Sequence, residues 1–150
     1  MNQIILTEKN FSKLKEQVKK NKNKQIIFTS EDDELNRKVL EKLPMSILLL
    51  NQKGRKDFQK QRNSGLNQVL AKLAKKNNVK IGINLDEIIE SEKVERAKII
   101  ARIKQNIKIC NKNKIEMLFI SLSKKRDLYD LKSLGLILGM PTWMTKKFNF

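Results

Sequence analysis

The chain has 150 residues, of which 39% are hydrophobic, and carries 33 Lys and Arg against 16 Asp and Glu for a net charge of +17. That length supports one domain with a true core, and no Pro/Gly/Ser-rich stretch serves as a linker, so residues 1–150 are read as a single domain. There is no histidine and a single cysteine, Cys110, which excludes a Ser-His-Asp triad, a Cys/His zinc site and an internal disulfide.

Short β-branched runs alternate with longer amphipathic stretches. Ile4 to Leu6 predicts a first strand, followed by a helix through Phe11, Leu14 and Val18. Ile26 to Thr29 is a second strand. Ser30 and the acidic run Glu31 to Glu34 then read as an N-cap with a negatively charged first turn, in preference to a metal site. Leu35, Val39 and Leu43 line that helix, Pro44 stops it, and Ile47 to Leu50 make a third strand. Leu66, Val69, Leu70 and Leu73 recur at one-face helical spacing, and Val79 to Leu85 form a fourth strand. The longest helix is expected from Lys93 to Lys112. Its buried stripe is Ile100, Ile103, Ile107 and Cys110, with Lys98, Arg102, Gln105 and Lys112 towards the other side. Cys110 is thereby a small core residue. Ile115 to Ile120 is a fifth strand. Leu128, Leu131, Leu134 and Leu138 line a last helix that ends near Gly139, with Pro141 beyond it as a stop signal.

Five βα units in series argue for an α/β fold with a mostly parallel sheet and right-handed crossovers. Eight units close an ordinary barrel of this kind, so the expected architecture is a partial or minimal TIM-barrel-like array or an open sheet.

An excess of positive charge repels itself within a compact fold and normally exists because a polyanion neutralises it. Lys (27), Ile (17) and Asn (15) are abundant, as AT-rich coding would make them, but that bias does not explain the shortage of acids. Nucleic acid is therefore the expected partner. The aromatic residues Phe11, Phe28, Phe58, Phe119, Tyr129 and Trp143 are scattered and form no stacking platform, so contacts are expected to phosphates and shape. No P-loop or GxGxxG pattern occurs. No apolar run nears the ~20 residues of a membrane helix, and Met1 to Leu6 is too short for a secretory signal. With a lone cysteine, the expectation is a soluble cytoplasmic protein without a membrane partner.

Three local patterns follow predicted strands, at the edge where α/β folds usually bind ligands. The first is Arg62-Asn63-Ser64-Gly65-Leu66-Asn67. Asn63 or Ser64 reads as a helix N-cap with Gly65 easing the turn, which leaves Arg62 and Asn67 available for binding. The second is Ile81-Gly82-Ile83-Asn84-Leu85, where Gly82 marks close packing and Asn84 satisfies backbone groups at the strand end. The third is Ala97 to Cys110, where Arg102 and Asn106 are four apart and share one flank. Ser123-Lys124-Lys125-Arg126 reads as a basic loop on the same edge as Arg62.

These stretches continue as Val69-Leu70, Arg96-Ala97, Gln105-Asn106-Ile107-Lys108-Ile109-Cys110 and Arg126-Asp127-Leu128-Tyr129-Asp130-Leu131. They end with Ser133-Leu134-Gly135 and Leu138-Gly139-Met140. In this order and spacing they resemble the ribonuclease P protein component 3 family, the archaeal relatives of the eukaryotic thirty-kilodalton RNase P subunit, over roughly Leu48 to Pro141. The N-terminal third departs from the family, which usually opens with an acidic, histidine-bearing strand that Met1 to Thr7 does not show.

The resemblance implies a barrel-like fold related to the PHP phosphoesterases but without their metal centre. It implies a non-catalytic subunit of the ribonucleoprotein that cleaves the 5′ leader from precursor tRNA, an endonucleolytic hydrolysis performed by the RNA. No active site and no cofactor are expected on this chain, with Mg2+ expected for the RNA subunit. The implied partners are RNase P RNA, precursor tRNA and RNase P protein component 2. By matching position Arg62, Ser64, Asn67, Arg102, Asn106 and Arg126 are the expected RNA- or partner-binding residues, and Gly65, Gly82, Asn84, Gly135 and Gly139 are structural motif residues. The alternative is a general basic RNA- or ribosome-binding protein with no RNase P specificity. A metal-dependent phosphoesterase would need an imidazole cage that the composition cannot supply.

Overall fold

The computed structural model describes residues 2–148. Five strands, β1 (Gln3–Leu6), β2 (Gln25–Thr29), β3 (Ile47–Leu50), β4 (Lys80–Asn84) and β5 (Met117–Ile120), form one sheet. Their spatial order is their chain order, and every neighbouring pair is parallel. β1 and β5 are its two edges, so the sheet is open. It is a singly wound βα array with five of the eight units a closed barrel uses.

The helices are α1 (Phe11–Lys20), α2 (Asp33–Lys42), α3 (Gln68–Lys76), α4 (Leu85–Glu90), α5 (Lys93–Lys112), α6 (Leu128–Leu138) and α7 (Thr142–Thr145). Strand side chains alternate between two faces. Leu6, Phe28, Leu48, Leu50, Ile81, Ile83 and Met117 share one core with residues of α1 to α6, whereas Ile27, Ile47, Leu49 and Ile120 form a second cluster with no helical member. The helices therefore lie on one face, and the other face corresponds to a barrel interior. Gly82 lies on that inner face. A Cβ there would come within 3.1 Å of Ile47, 3.2 Å of Leu49 and 3.3 Å of Ile120. The missing side chain lets these three aliphatic residues close over the sheet centre, which accounts for their burial without a covering helix.

Several local expectations shift. The α2 cap is Asp32, whose carboxylate accepts from the amides of Glu34 and Leu35, while Ser30 accepts from Asp32 N. The α3 cap is Asn67, not Asn63 or Ser64: its Oδ1 accepts from Leu70 N at 2.9 Å. Val69 is consequently on the solvent side at 58% exposure, and the buried stripe is Leu70, Ala71 and Ala74. β4 ends at Asn84, which caps the additional short helix α4. α6 ends as expected at Gly139, in a left-handed conformation (φ +104°) that favours glycine. It is followed by α7, and a Cβ on Gly135 would lie 2.9 Å from Met140 Sδ in the connection and 3.1 Å from Thr145 Cγ2 of α7.

The bounds of α5 match the expectation, and so does the burial of Ile103, Ile107 and Cys110, but Ile100 is only partly buried and the stripe also takes in polar residues. Ile99, Arg102, Ile103, Asn106, Ile107 and Cys110 face inward, so Arg102 belongs to the buried side. Its guanidinium is tolerated there because loop carbonyls and a carboxylate compensate it.

Candidate functional site

The β3–α3 connection, residues 51–67, carries the first sequence motif and is held against α5 by two buried polar side chains. Arg102 is 1% exposed. Its Nη1 donates to the carbonyl of Gln52 (2.8 Å), its Nη2 to the carbonyl of Arg55 (2.6 Å), and its Nε to Asp57 Oδ1 (3.0 Å). A buried cation is costly unless its charge and donors are all met. The planar fork of arginine meets three acceptors at once, which the point charge of lysine would not. One turn further along, Asn106 Nδ2 donates to the carbonyl of Ser64 (3.1 Å), which also accepts from Gln52 Nε2 (2.9 Å). Gln105 donates to Ser64 Oγ and to the carbonyl of Arg62. Gln52 Oε1 and Asn106 Oδ1 are buried without a hydrogen-bond partner among the described residues.

A second arginine braces the outer side of the loop. Arg55 donates from Nη1 and Nη2 to the two oxygens of Asp33 (3.0 Å each) and from Nε to the carbonyl of Asn51. Gly65 takes φ +77°, and a Cβ there would lie 2.6 Å from Arg55 Nη2. The glycine thus serves both the left-handed turn and the close approach of the guanidinium.

Carboxylates of α4 and α5 complete the clamp. Glu87 accepts from Gln52 N (2.7 Å) and Lys53 N (2.9 Å), and Glu95 from Gly54 N (3.2 Å). Asp86 reaches the loop after β5, accepting from Leu122 N, Ser121 Oγ and Ser123 Oγ at 2.8 Å each. Across the strand ends, Asn84 Nδ2 donates to Asn51 Oδ1 and Asn51 Nδ2 to Thr29 Oγ1. The loops of this carboxyl edge are fixed as one body.

The hydrogen bond from Arg102 holds the Asp57 carboxyl below its ordinary range. It outweighs an opposing desolvation, with help from Asn63 N and the charges of Arg102 and Arg62. Burial pushes Asp86 up, but the donors from Leu122, Ser123 and Ser121 outweigh it and leave the group lowered. Among the described residues, no group of three or more His, Cys, Asp or Glu is placed to hold a metal ion.

The sequence-expected residues therefore fall into two sets. Ser64, Arg102 and Asn106 are brought together in the interior, with Asn67 as the adjoining helix cap. Arg62 and Arg126 stand outside. The Arg62 side chain is 49% exposed with Asp57 Oδ2 at 3.6 Å, and Arg126 is exposed in the loop after β5. Arg62, Asn63, Gly65, Asn67 and Gln105 border a cleft of about 390 Å³. Sequence reasoning missed Gln52, Arg55, Asp57, Asp86 and Glu87. A signal existed for Glu87: Asn84 and Glu87 have capping-box spacing, yet the carboxylate reaches across to the β3 loop instead of back to its own cap.

Comparisons with known proteins agree on one family. The family model described as RNase P subunit p30 matches residues 1–148. The match therefore includes the N-terminal third, which the sequence motifs left out. Ribonuclease P protein component 3 of Methanococcus maripaludis is 30% identical over 144 residues, covering 95% of this chain and 59% of the relative. The protein of the same name from Methanosarcina acetivorans is 33% identical over 132 residues, covering 87% and 52%. The chain thus spans little more than half the length of these curated relatives. A chain in a cryo-EM structure of archaeal ribonuclease P with mature tRNA superposes with a TM-score of 0.80 at 24% identity, over 96% of this chain and 62% of that one. That likeness establishes the barrel-like βα fold. With the family model matched along nearly its whole described length, the chain belongs to the RNase P subunit p30 family.

Proposed function

We propose that this protein is a non-catalytic subunit of ribonuclease P. It assists a catalytic RNA, which with its Mg2+ removes the 5′ leader of precursor tRNA in the cytoplasm. Family membership joined to a charge of +17 carries this reading. The similar chain of known structure comes from an archaeal ribonuclease P with mature tRNA, and the curated relatives are named as its component 3. The catalytic RNA and precursor tRNA are both polyanions, and a basic protein lowers the electrostatic cost of bringing them together. Arg62 and Arg126 are contact residues within the ribonucleoprotein. Ser64, Asn67, Arg102 and Asn106 are positioning residues that set the shape of the loop carrying Arg62. RNase P protein component 2 is the proposed protein partner.

The test is binding selectivity. In the presence of component 2 and at moderate salt, affinity for RNase P RNA should exceed that for an unrelated structured RNA of equal length by at least about tenfold, beyond the shared electrostatic term. Equal affinity for both RNAs would favour a general basic RNA-binding protein.

A further inference from the structure

In a parallel sheet all strands begin at one edge, and the helices that return the chain end there. Charge is divided unequally between the two edges. Residues 19–24 hold four lysines, 75–80 three, and 111–116 two; Lys42 ends α2. Lys146 and Lys147 follow α7, and Lys147 lies 3.8 Å from Glu116, which places it beside the start of β5. The amino edge thus gathers twelve lysines against two acids, Glu41 and Glu116. Both acids are already paired, Glu41 with Arg37 and Glu116 with Lys80 and Lys147. Thirteen of the 16 acids belong to the opposite edge and the α4–α5 turn, where Asp32 and Asp127 cap helices and Asp57, Asp86, Glu87 and Glu95 hold loops.

Helix ends alone do not account for the lysines. A helix C-terminus presents about half a negative charge, so the ends of α1, α2, α3 and α5 ask for about two cations in all. All twelve except Lys80 are exposed. The connections that carry them are short and fixed. Asn78 and Lys114 take left-handed conformations (φ 56° each) that turn α3 and α5 directly into strands. Lys75 Nζ donates to the carbonyl of Lys114 (2.9 Å), joining two of the connections. A charged surface built on such turns loses little conformational freedom on binding. Among the described residues the edge offers no base-stacking platform: Trp143 is half-buried with Lys114 over its ring.

We propose that this amino edge, opposite the loop of Arg62 and Arg126, binds the phosphate backbone of structured RNA. Contacts are to phosphates and 2′-hydroxyls and not to base edges. The proposal rests on the reading that the protein works on RNA and adds where the RNA lies. The carboxyl edge, with acids and bases in near balance, is left for other parts of the assembly.

Two variants of equal charge test it. One carries Lys22→Gln, Lys24→Gln, Lys76→Gln and Lys112→Gln on the amino edge. The other carries Lys13→Gln, Lys15→Gln, Lys72→Gln and Lys104→Gln on outer helix faces. All eight lysines are exposed and their side chains make no hydrogen bond or ion pair with a described residue, so both variants should fold. Affinity for RNase P RNA and precursor tRNA is measured across a KCl series. Each lost phosphate contact lowers the salt slope by about 0.9. The edge variant should therefore lose about three to four from the slope and on the order of 100-fold in affinity at moderate salt. The outer-face variant should change less than about threefold. Equal losses in both, or no loss in the edge variant while the unmodified protein binds, would overturn the proposal and leave the functional reading intact. Failure of the unmodified protein to bind either RNA would overturn both.

Discussion

Arg102 and Asp57 are 45 positions apart in the chain and 3.0 Å apart in the fold, and their contact ties the loop after β3 to the centre of α5. With its other two donors on the carbonyls of Gln52 and Arg55, Arg102 acts as the inner post around which residues 52–57 are wound. Removing it leaves the carbonyls of Gln52 and Arg55 without this donor and Asp57 with only Asn63 N and the more distant Arg62. Arg102→Ala should lower the unfolding free energy by about 3 kcal/mol, from lost charge-assisted hydrogen bonds and the cavity. Urea denaturation followed by circular dichroism checks this. Arg102→Lys should recover only a minor part, because one ammonium cannot reach all three acceptors.

Acid should loosen the carboxyl edge before the core. The folded-state pKa values of Asp57 and Asp86 are depressed. Their contributions are therefore fully present above the unfolded value of about 3.9 and are lost as pH falls through the lower folded values. Amide signals of Asn63 and Leu122, which donate to these carboxylates, should shift below about pH 4 while those of Ile81 and Ile83 do not. Asp57→Asn should remove the transition at Asn63 and leave that at Leu122.

Gly65→Ala should destabilise by about 2–3 kcal/mol, more than the backbone cost alone. A left-handed backbone at a residue with a Cβ accounts for about 1–2 kcal/mol, and the new methyl also displaces the Arg55 guanidinium from Asp33. Thermal unfolding reads the loss. Gly139→Ala, at φ +104° with open space around it, should show the backbone cost alone.

The single cysteine should be inert in the folded protein. Burial pushes the Cys110 thiol up to about 12, so at about pH 8 only ~1 part in 10,000 is thiolate. A disulfide reagent such as DTNB should modify it at the rate of unfolding, and rapidly in denaturant.

The five strands and most of the helices were legible because each βα unit writes its own period, apolar runs for strands and i, i+3, i+4 spacing for helices. Arg102 and Asn106 were legible as a pair but not as interior groups. Charged residues on a helix ordinarily mark its solvent face, and their compensation here comes from backbone carbonyls about 50 residues away that no local pattern announces. Asn67 is a cap for a related reason. The turn at Gly65 delays the helix start, so the cap is Asn67 and not Asn63 or Ser64. The asymmetry of the sheet edges was invisible until the topology was known, since the lysines are spread along the chain and only parallel winding collects them.

Reconstitution is the decisive test of a subunit role. Cleavage of precursor tRNA by the cognate RNase P RNA is measured with component 2 present, with and without this protein. Addition should raise the rate, and Arg62→Ala should lower it again without changing the urea midpoint. A rate that does not change on addition, at protein concentrations where RNA binding is saturated, would contradict a subunit role.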